Sequence, residues 1–318
     1  MLPAVAVDDD RGTPSQRRDR RVTGRPSHTN GRRVRPSRVR LGFLVVGVAA
    51  LTVAAVWAVS GATPFAIAGF TAKISNSSNT AATAQYFKCT NAEAADKSSA
   101  LFQYYLNEAS GSTTAVDSDG NSANGTYQGT MTTSTATPIA CSRDTGSAYV
   151  LNGSSSFVST PTSYANPTTF SEEVWFKTTV AGGLLIGFGS NQVSSSGQHD
   201  RQIYLNTSGK LVFGTYSSTV QVVTSPLAYN DGKWHHVAST MSASSGMRLY
   251  VDGTLVASNV NYTAPENATG YFRIGYDTIS GWPGTASNYY FTGQMRYAAV
   301  YSTALTAQQI SNHYAAGQ

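Results

Sequence analysis

Three groups of residues have the chemistry to act on a ligand. The first is the adjacent pair Glu172-Glu173. Hydrolysis of a glycosidic bond needs two carboxylates flanking the bond, about 5 Å apart for retention of configuration. Neighbours on a strand project to opposite faces, so Glu172 and Glu173 cannot form that pair. The second group is His235-His236, which by the same alternation cannot chelate one metal; His199 with Asp200 reads as a loop, and the sequence places no nucleophile with it. The third is Tyr276-Asp277, Gly281-Trp282-Pro283 and Asn288-Tyr289-Tyr290. It mixes aromatic faces with hydrogen-bonding groups, the composition that stacks sugar rings and bonds their hydroxyls. Asp200-Arg201, at the head of another strand, is a second polar candidate. Against a ligand role stand two plainer readings: Trp282 plugs the end of the fold, and Arg201 pairs with Asp200. No G-x-S-x-G motif and no CxxC or Cys/His cluster occurs.

The elements that must position these residues are short and alternating. Gln202–Leu205 and Lys210–Phe213 flank a Gly-containing turn, which predicts a hairpin. Met247–Val251 leads through Asp252-Gly253 into Thr254–Ala257, a two-residue hairpin signal. Trp234–Thr240, Tyr271–Gly275 and Met295–Tyr301 read as further strands. The apolar strand positions Trp175, Phe176, Trp234, Val237, Leu249, Val251, Ile274 and Val300 are the expected core. Thr306 with Gln309 forms a capping-box pattern opening a short helix, with Ile310 and Tyr314 as its buried face.

Composition agrees with an all-β chain. Only 12% of the 318 residues are charged, 29 are Gly, and 41% are hydrophobic. That hydrophobic share is enough for a core, and two Cys are too few for a disulfide-dense scaffold. The net charge of +5 is unevenly spread: residues 1–40 hold eleven Arg and four Asp, leaving −2 for the remainder. Such a basic arm suits nucleic acid in isolation, but the adjoining apolar segment argues otherwise. Leu41–Val59 is a nineteen-residue apolar run with a single Thr, long enough to span ~30 Å of hydrocarbon. The Arg cluster before it predicts that residues 1–40 are a disordered cytoplasmic tail. The expected organisation is therefore tail 1–40, transmembrane or signal-peptide helix 41–60, linker 61–88 and an exported domain 89–318. Ala66-Ile67-Ala68 offers a signal-cleavage site, so a retained anchor and a cleaved signal both stay open. Either places the domain outside the cytoplasm, with no nucleic-acid partner. There Cys89 and Cys141 are expected to pair.

Taken together, the segments LFQYYLNEASGSTTAVDSDGNSANGTYQG, AYVLNGSSSFVST, TTFSEEVWFKT, DGKWHHVAST, GMRLYVDGTLVAS, GYFRIGYDTISGWPG and FTGQMRYAAVYSTALTAQQISNHYAAG resemble a bacterial LamG-like jelly-roll domain of the concanavalin A-like lectin/glucanase superfamily. The resemblance covers about residues 100–316. AGFTAKISNSSNTAATA resembles the stretch after the signal in actinobacterial surface proteins. The family resemblance implies an antiparallel two-sheet jelly roll and a non-catalytic module that binds carbohydrate or a cell-surface partner. A purely structural or adhesive protein is the alternative, and a glycoside hydrolase, which on this fold resembles E-x-D-x-x-E, ranks below both. It also implies one Ca²⁺ near Asp117, with Asp119 and Asn121 as helpers. Arg296 stands where the family carries a carboxylate, which favours an Asp117–Arg296 contact in place of the cation. No other cofactor is expected.

Overall fold

A computed structural model describes residues 86–318. The basic tail, the apolar run and almost all of the expected linker lie outside the described residues.

Two antiparallel sheets face each other. The first runs in the order β15 (Thr254–Asn259), β14 (Gly246–Val251), β13 (Trp234–Ser242), β8 (Phe170–Lys177), β17 (Thr292–Tyr301), β5 (Ala148–Asn152), β4 (Thr132–Ser134), with β1 (Ala100–Tyr104) also paired to β17. The second runs β12 (Thr219–Ala228), β11 (Lys210–Ser217), β10 (His199–Leu205), β9 (Leu184–Gly189), β16 (Thr269–Ile274), β6 (Phe157–Ser159), β3 (Gly125–Gln128), β2 (Thr114–Ala115), with β7 (Tyr164–Ala165) beside β16. Sequence neighbours such as β8 and β9 lie in different sheets, the crossing pattern of a jelly roll. Both expected hairpins form. Gly209 (φ 72°) closes the turn between β10 and β11, while Asp252 (φ 51°) and Gly253 (φ 73°) make the left-handed pair that joins β14 to β15.

The core follows from period-two alternation. Phe170, Val174 and Phe176 of β8 point between the sheets and meet Val237, Leu249, Val251, Ile274 and Val300 there. Each such side chain contributes roughly 1.5–3 kcal/mol on burial. Two expected core residues face the other way. Trp175 lies between Val174 and Phe176 in sequence, so it projects to the outer face of the first sheet. It packs there with Cys89, Ala92, Cys141, Tyr297 and Ala316, and Trp234 joins the edge of that cluster. Alternation decides the side on which a tryptophan is buried, and hydrophobicity alone does not.

Two helices cover this outer face. α1 (Cys89–Asp96) is held by the Cys89–Cys141 disulfide and by Asp144, whose carboxylate accepts from Cys89 N and Thr90 Oγ1. α2 (Ala307–Gly317) opens with the expected capping box of Thr306 and Gln309. Ile310 is buried as expected; Tyr314 is half-buried and stacks on Trp175 at 5.7 Å, and His313 is buried as well.

Candidate functional site

The side of the second sheet that faces away from the core carries an open cleft. In β10, Ile203 and Leu205 point into the core, so Tyr204 between them points outward. The segment from Gly275 to Phe291 folds back over that face. Its Ile279 and Trp282 close over Leu184, Tyr204 and Val212. Trp282 meets Tyr204 edge-on at 6.3 Å, and Tyr204 Oη donates to Pro283 O at 2.7 Å. Gly214 lies directly under the indole, where any side chain would collide with it. Trp282 is thus only 5% exposed, too covered to offer a free ring face for stacking. Beside it opens a cleft of about 380 Å³, walled by Gly197, Gln198, His199, Tyr216, Val220, Glu266, Ser280, Gly281 and Trp282. His199 Nε2 lies 3.1 Å from Ser280 O, tying the covering segment to β10.

Asp200 and Arg201 sit behind the cleft wall. Both are buried and they pair with each other at 2.7 Å. Asp200 Oδ1 accepts from Tyr216 N at 2.7 Å, and Arg201 donates to Pro167 O and Glu266 O at 2.9 and 2.8 Å. Two walls of the cleft, Tyr216 and Glu266, are therefore held from behind by one ion pair. Burial pushes the Asp200 carboxyl up to about 6 despite Arg201. Glu172 is buried on the core side of the first sheet. It accepts from Ser239 Oγ at 3.0 Å, and burial raises its pKa well above the usual range.

The remaining aromatic candidates divide. Tyr276 and Tyr290 stack face to face at 3.7 Å beside Phe157, away from the cleft walls. Asp277 is buried and accepts from Ser196 Oγ and Thr278 N, both at 2.7 Å, with Arg273 at 3.5 Å. Tyr289 packs at the rim of the Trp282 cluster. Sequence reasoning missed Gln198, Tyr216, Val220 and Glu266 as cleft residues. Tyr216 alone carried a usable signal, since it follows Val212 and Gly214 on the outward register of β11.

Glu173 lies across the first sheet from Glu172, as neighbours on a strand must. It is sealed beneath the two helices. His236 Nε2 lies 3.2 Å from Oε2, His313 Nδ1 lies 2.9 Å from Oε1, and Tyr301 Oη donates to Oε1 at 2.6 Å. His235 faces the opposite side, toward Asp252 at 2.8 Å and Asp231 at 3.0 Å. The sequence expectation of opposite faces holds for both pairs.

The loop carrying Asp117, Asp119 and Asn121 is closed by its own amides. Asp117 accepts from Gln103 N, Asp119 N and Ala123 N at 3.0, 3.3 and 2.9 Å. Asp119 accepts from Asn121 N and Nδ2 at 2.6 and 2.9 Å, and burial pushes its pKa up to about 6. A calcium cage needs six to eight oxygens free to face the ion, whereas these carboxylates face N–H donors. Among the described residues no three acidic, His or Cys side chains gather around a common point suited to a metal. The loop does not fit the cation. The expected Asp117–Arg296 contact is also corrected. Arg296 donates instead to Ala140 O, Cys141 O and Thr145 O and lies over the Tyr297 ring. Plain alternation explains the redirection: Met295 faces the core opposite Phe176, so Arg296, paired with Trp175, lies on the helix-covered face beside the disulfide.

A family model of the laminin G type, described as the concanavalin A-like lectin/glucanases superfamily, matches residues 152–311, half of the chain. The chain belongs to this superfamily. No curated protein matches it. Among solved structures, the binding domain of Paraclostridial Mosquitocidal Protein 1 aligns with a TM-score of 0.51 and 14% identity, over 69% of this chain and 52% of that one. Domain 4 of AbnA, a GH43 extracellular arabinanase from Geobacillus stearothermophilus in complex with arabinotriose, gives 0.48 and 19%, over 68% and 98%. The botulinum neurotoxin serotype C1 binding domain gives 0.48 and 17%, over 69% and 52%. This concanavalin A-like chain thus spans about half the length of two of these structures. At such identities the likeness is one of fold.

Proposed function

We propose that the chain is a non-catalytic carbohydrate-binding module, carried outside the cell by the apolar run at residues 41–60. The observation that supports this most is the cleft of about 380 Å³ on the outward face of the second sheet, where Tyr216, His199, Glu266 and Gln198 meet the edge of Trp282. A concave site mixing aromatic walls with a few polar groups suits a saccharide, whose rings present apolar faces and rims of hydroxyls. A hollow of about 460 Å³ formed by Thr168, Thr169, Ala243, Thr263, Ala264, Pro265, Glu266 and Asn267 contains no aromatic side chain and suits a sugar less well. The placement of the carboxylates supports the non-catalytic reading. Glu173 is sealed under the helices, Glu172 is buried on the other side of the sheet, and Glu266 is the single carboxylate lining the cleft among the described residues. The fold is shared with the mosquitocidal binding domain, in keeping with a binding role.

A glycan array probed with the full chain, in parallel with Tyr216→Ala, tests the reading. Retained glycans with wild type and a loss of at least tenfold with the variant are expected. A wild-type chain that retains no glycan would leave the adhesive alternative standing. Protease digestion of intact cells tests the location: the domain is expected to be shed or cleaved without lysis.

A further inference from the structure

The charge within the cleft restricts which saccharides it can admit. Among the described residues no Lys or Arg lines it, and its ionisable walls are His199, Tyr216 and Glu266. The charged groups around it cancel in pairs. Asp200 and Arg201 meet at 2.7 Å behind the wall, with side chains 2% and 0% exposed. Asp277 faces Arg273 at 3.5 Å beneath the covering segment, both fully buried. Burial favours the neutral form of Glu172 on the core side. His199 commits Nε2 to Ser280 O. Among the described lining residues the one carboxylate is that of Glu266, which has no ion-pair partner within 4 Å and is attracted by Arg201 only from farther off. The main chain of Glu266, by contrast, is fixed: its N–H donates to Tyr216 O at 2.7 Å, and its carbonyl accepts from Arg201.

From this balance we infer that the cleft takes uncharged saccharides and turns away acidic ones, with Glu266 as the discriminating residue. The inference rests on the reading of the cleft as a glycan site and adds the class of glycan. An ionised carboxylate only accepts hydrogen bonds. Sugar hydroxyls donate to it, and such charge-assisted bonds are stronger than neutral ones. A uronate, sialate or sulfate brings acceptors and a like charge instead. At about 5 Å across a half-solvated site, that repulsion weakens binding on the order of tenfold. It is screened by salt, because the cleft is open.

The test is an array of matched neutral oligosaccharides and their sialylated, sulfated or uronic-acid counterparts, probed with the full chain at low and high salt and with Glu266→Gln. Because the main-chain bonds at this position do not involve the side chain, the variant is expected to keep its melting temperature. Wild type is expected to hold neutral members about tenfold more tightly than their acidic partners, with the gap narrowing at high salt. In Glu266→Gln the acidic-to-neutral ratio is expected to rise severalfold. Acidic glycans bound as tightly as neutral ones at low salt would overturn the inference while leaving the glycan reading intact. So would a ratio unmoved by both salt and the variant. Absence of any glycan signal from wild type would overturn both.

Discussion

His313 and Glu173, 140 residues apart, meet through a buried hydrogen bond of 2.9 Å between Nδ1 and Oε1. The other ring nitrogen of His313 reaches Asp96 Oδ2 at 3.0 Å, so one imidazole links α1, α2 and the first sheet. Burial alone would lower the pKa of His313, but Glu173 and Asp96 outweigh it and hold the ring protonated well above the usual range. Burial alone would likewise raise Glu173, but His313 and His236 overcome it and hold the carboxyl well below the usual range. Glu93, also buried beside this cluster, is raised by burial and by Glu173.

The pH dependence of stability follows from these directions. His313 is raised on folding, so its contribution is complete below about 6.5, its unfolded value, and declines as pH rises toward the folded one. Glu173 is depressed, so its contribution is complete above about 4.5 and declines as pH falls below it. Glu93 is raised, so it adds to the loss on the alkaline side. Thermal melts of His313→Gln should show a smaller fall between pH 7 and 9 than wild type. Removing the His313 partner of the buried Glu173 should cost about 3–5 kcal/mol at pH 7. Parallel curves for the two proteins would refute this assignment.

Removal of the disulfide should destabilise the domain without changing its fold. Cys89 and Cys141 close a loop with a separation of 52 residues. The chain entropy lost by the unfolded state on closing a loop of that length corresponds to about 4 kcal/mol. Urea titration of Cys89→Ser/Cys141→Ser should show a lower midpoint with native-like near-UV circular dichroism. An unchanged midpoint would count against a stabilising role for the bond.

Calcium should leave the domain unaffected. The Asp117 oxygens are engaged by three backbone N–H groups, so melts in Ca²⁺ and in chelator should coincide. Asp117→Ala should lower stability by about 2–3 kcal/mol in either condition, the cost of orphaned amides. A melting temperature raised by Ca²⁺ in wild type and not in the variant would show that the loop opens to receive the ion.

No sugar release is expected from polysaccharide substrates. The basis is the separation of Glu172 from Glu173 by the thickness of a sheet, with Glu266 lacking a second carboxylate across the cleft. Reducing-end assays over a polysaccharide panel provide the check. Activity abolished by Glu266→Gln would overturn it.

Much of the architecture was legible in local patterns. Alternation marked the strands, Asp252-Gly253 marked a hairpin, and Thr306 with Gln309 marked the start of α2. Trp175 shows where such reading stops: its hydrophobicity is local, but its side of the sheet depends on register. α1 escaped notice because CTNAEAAD has almost no amphipathic signal, and the disulfide and Asp144 hold it in place. The Glu173 cluster draws on five separate stretches, and the cleft draws on β10, β11, β12 and three loops. No window of sequence contains either. The Asp117–Arg296 expectation failed for a reason of register: Arg296 pairs with Trp175 and so faces the helices, while backbone amides hold the oxygens of Asp117.

The covalent link at Cys89 also sets how the domain would respond to tension. A pull arriving through the chain before Cys89 passes straight to Cys141, so the segment between them is bypassed. That segment contains α1 and β1 to β4. A chain of 52 residues would otherwise extend to about 180 Å when drawn straight. In a single-molecule pulling experiment, reduction should lengthen the unfolding step by about that amount, and the same step under oxidising conditions should stop short. The clip therefore acts as a strain limiter for the 52-residue segment that carries α1 and β1 to β4.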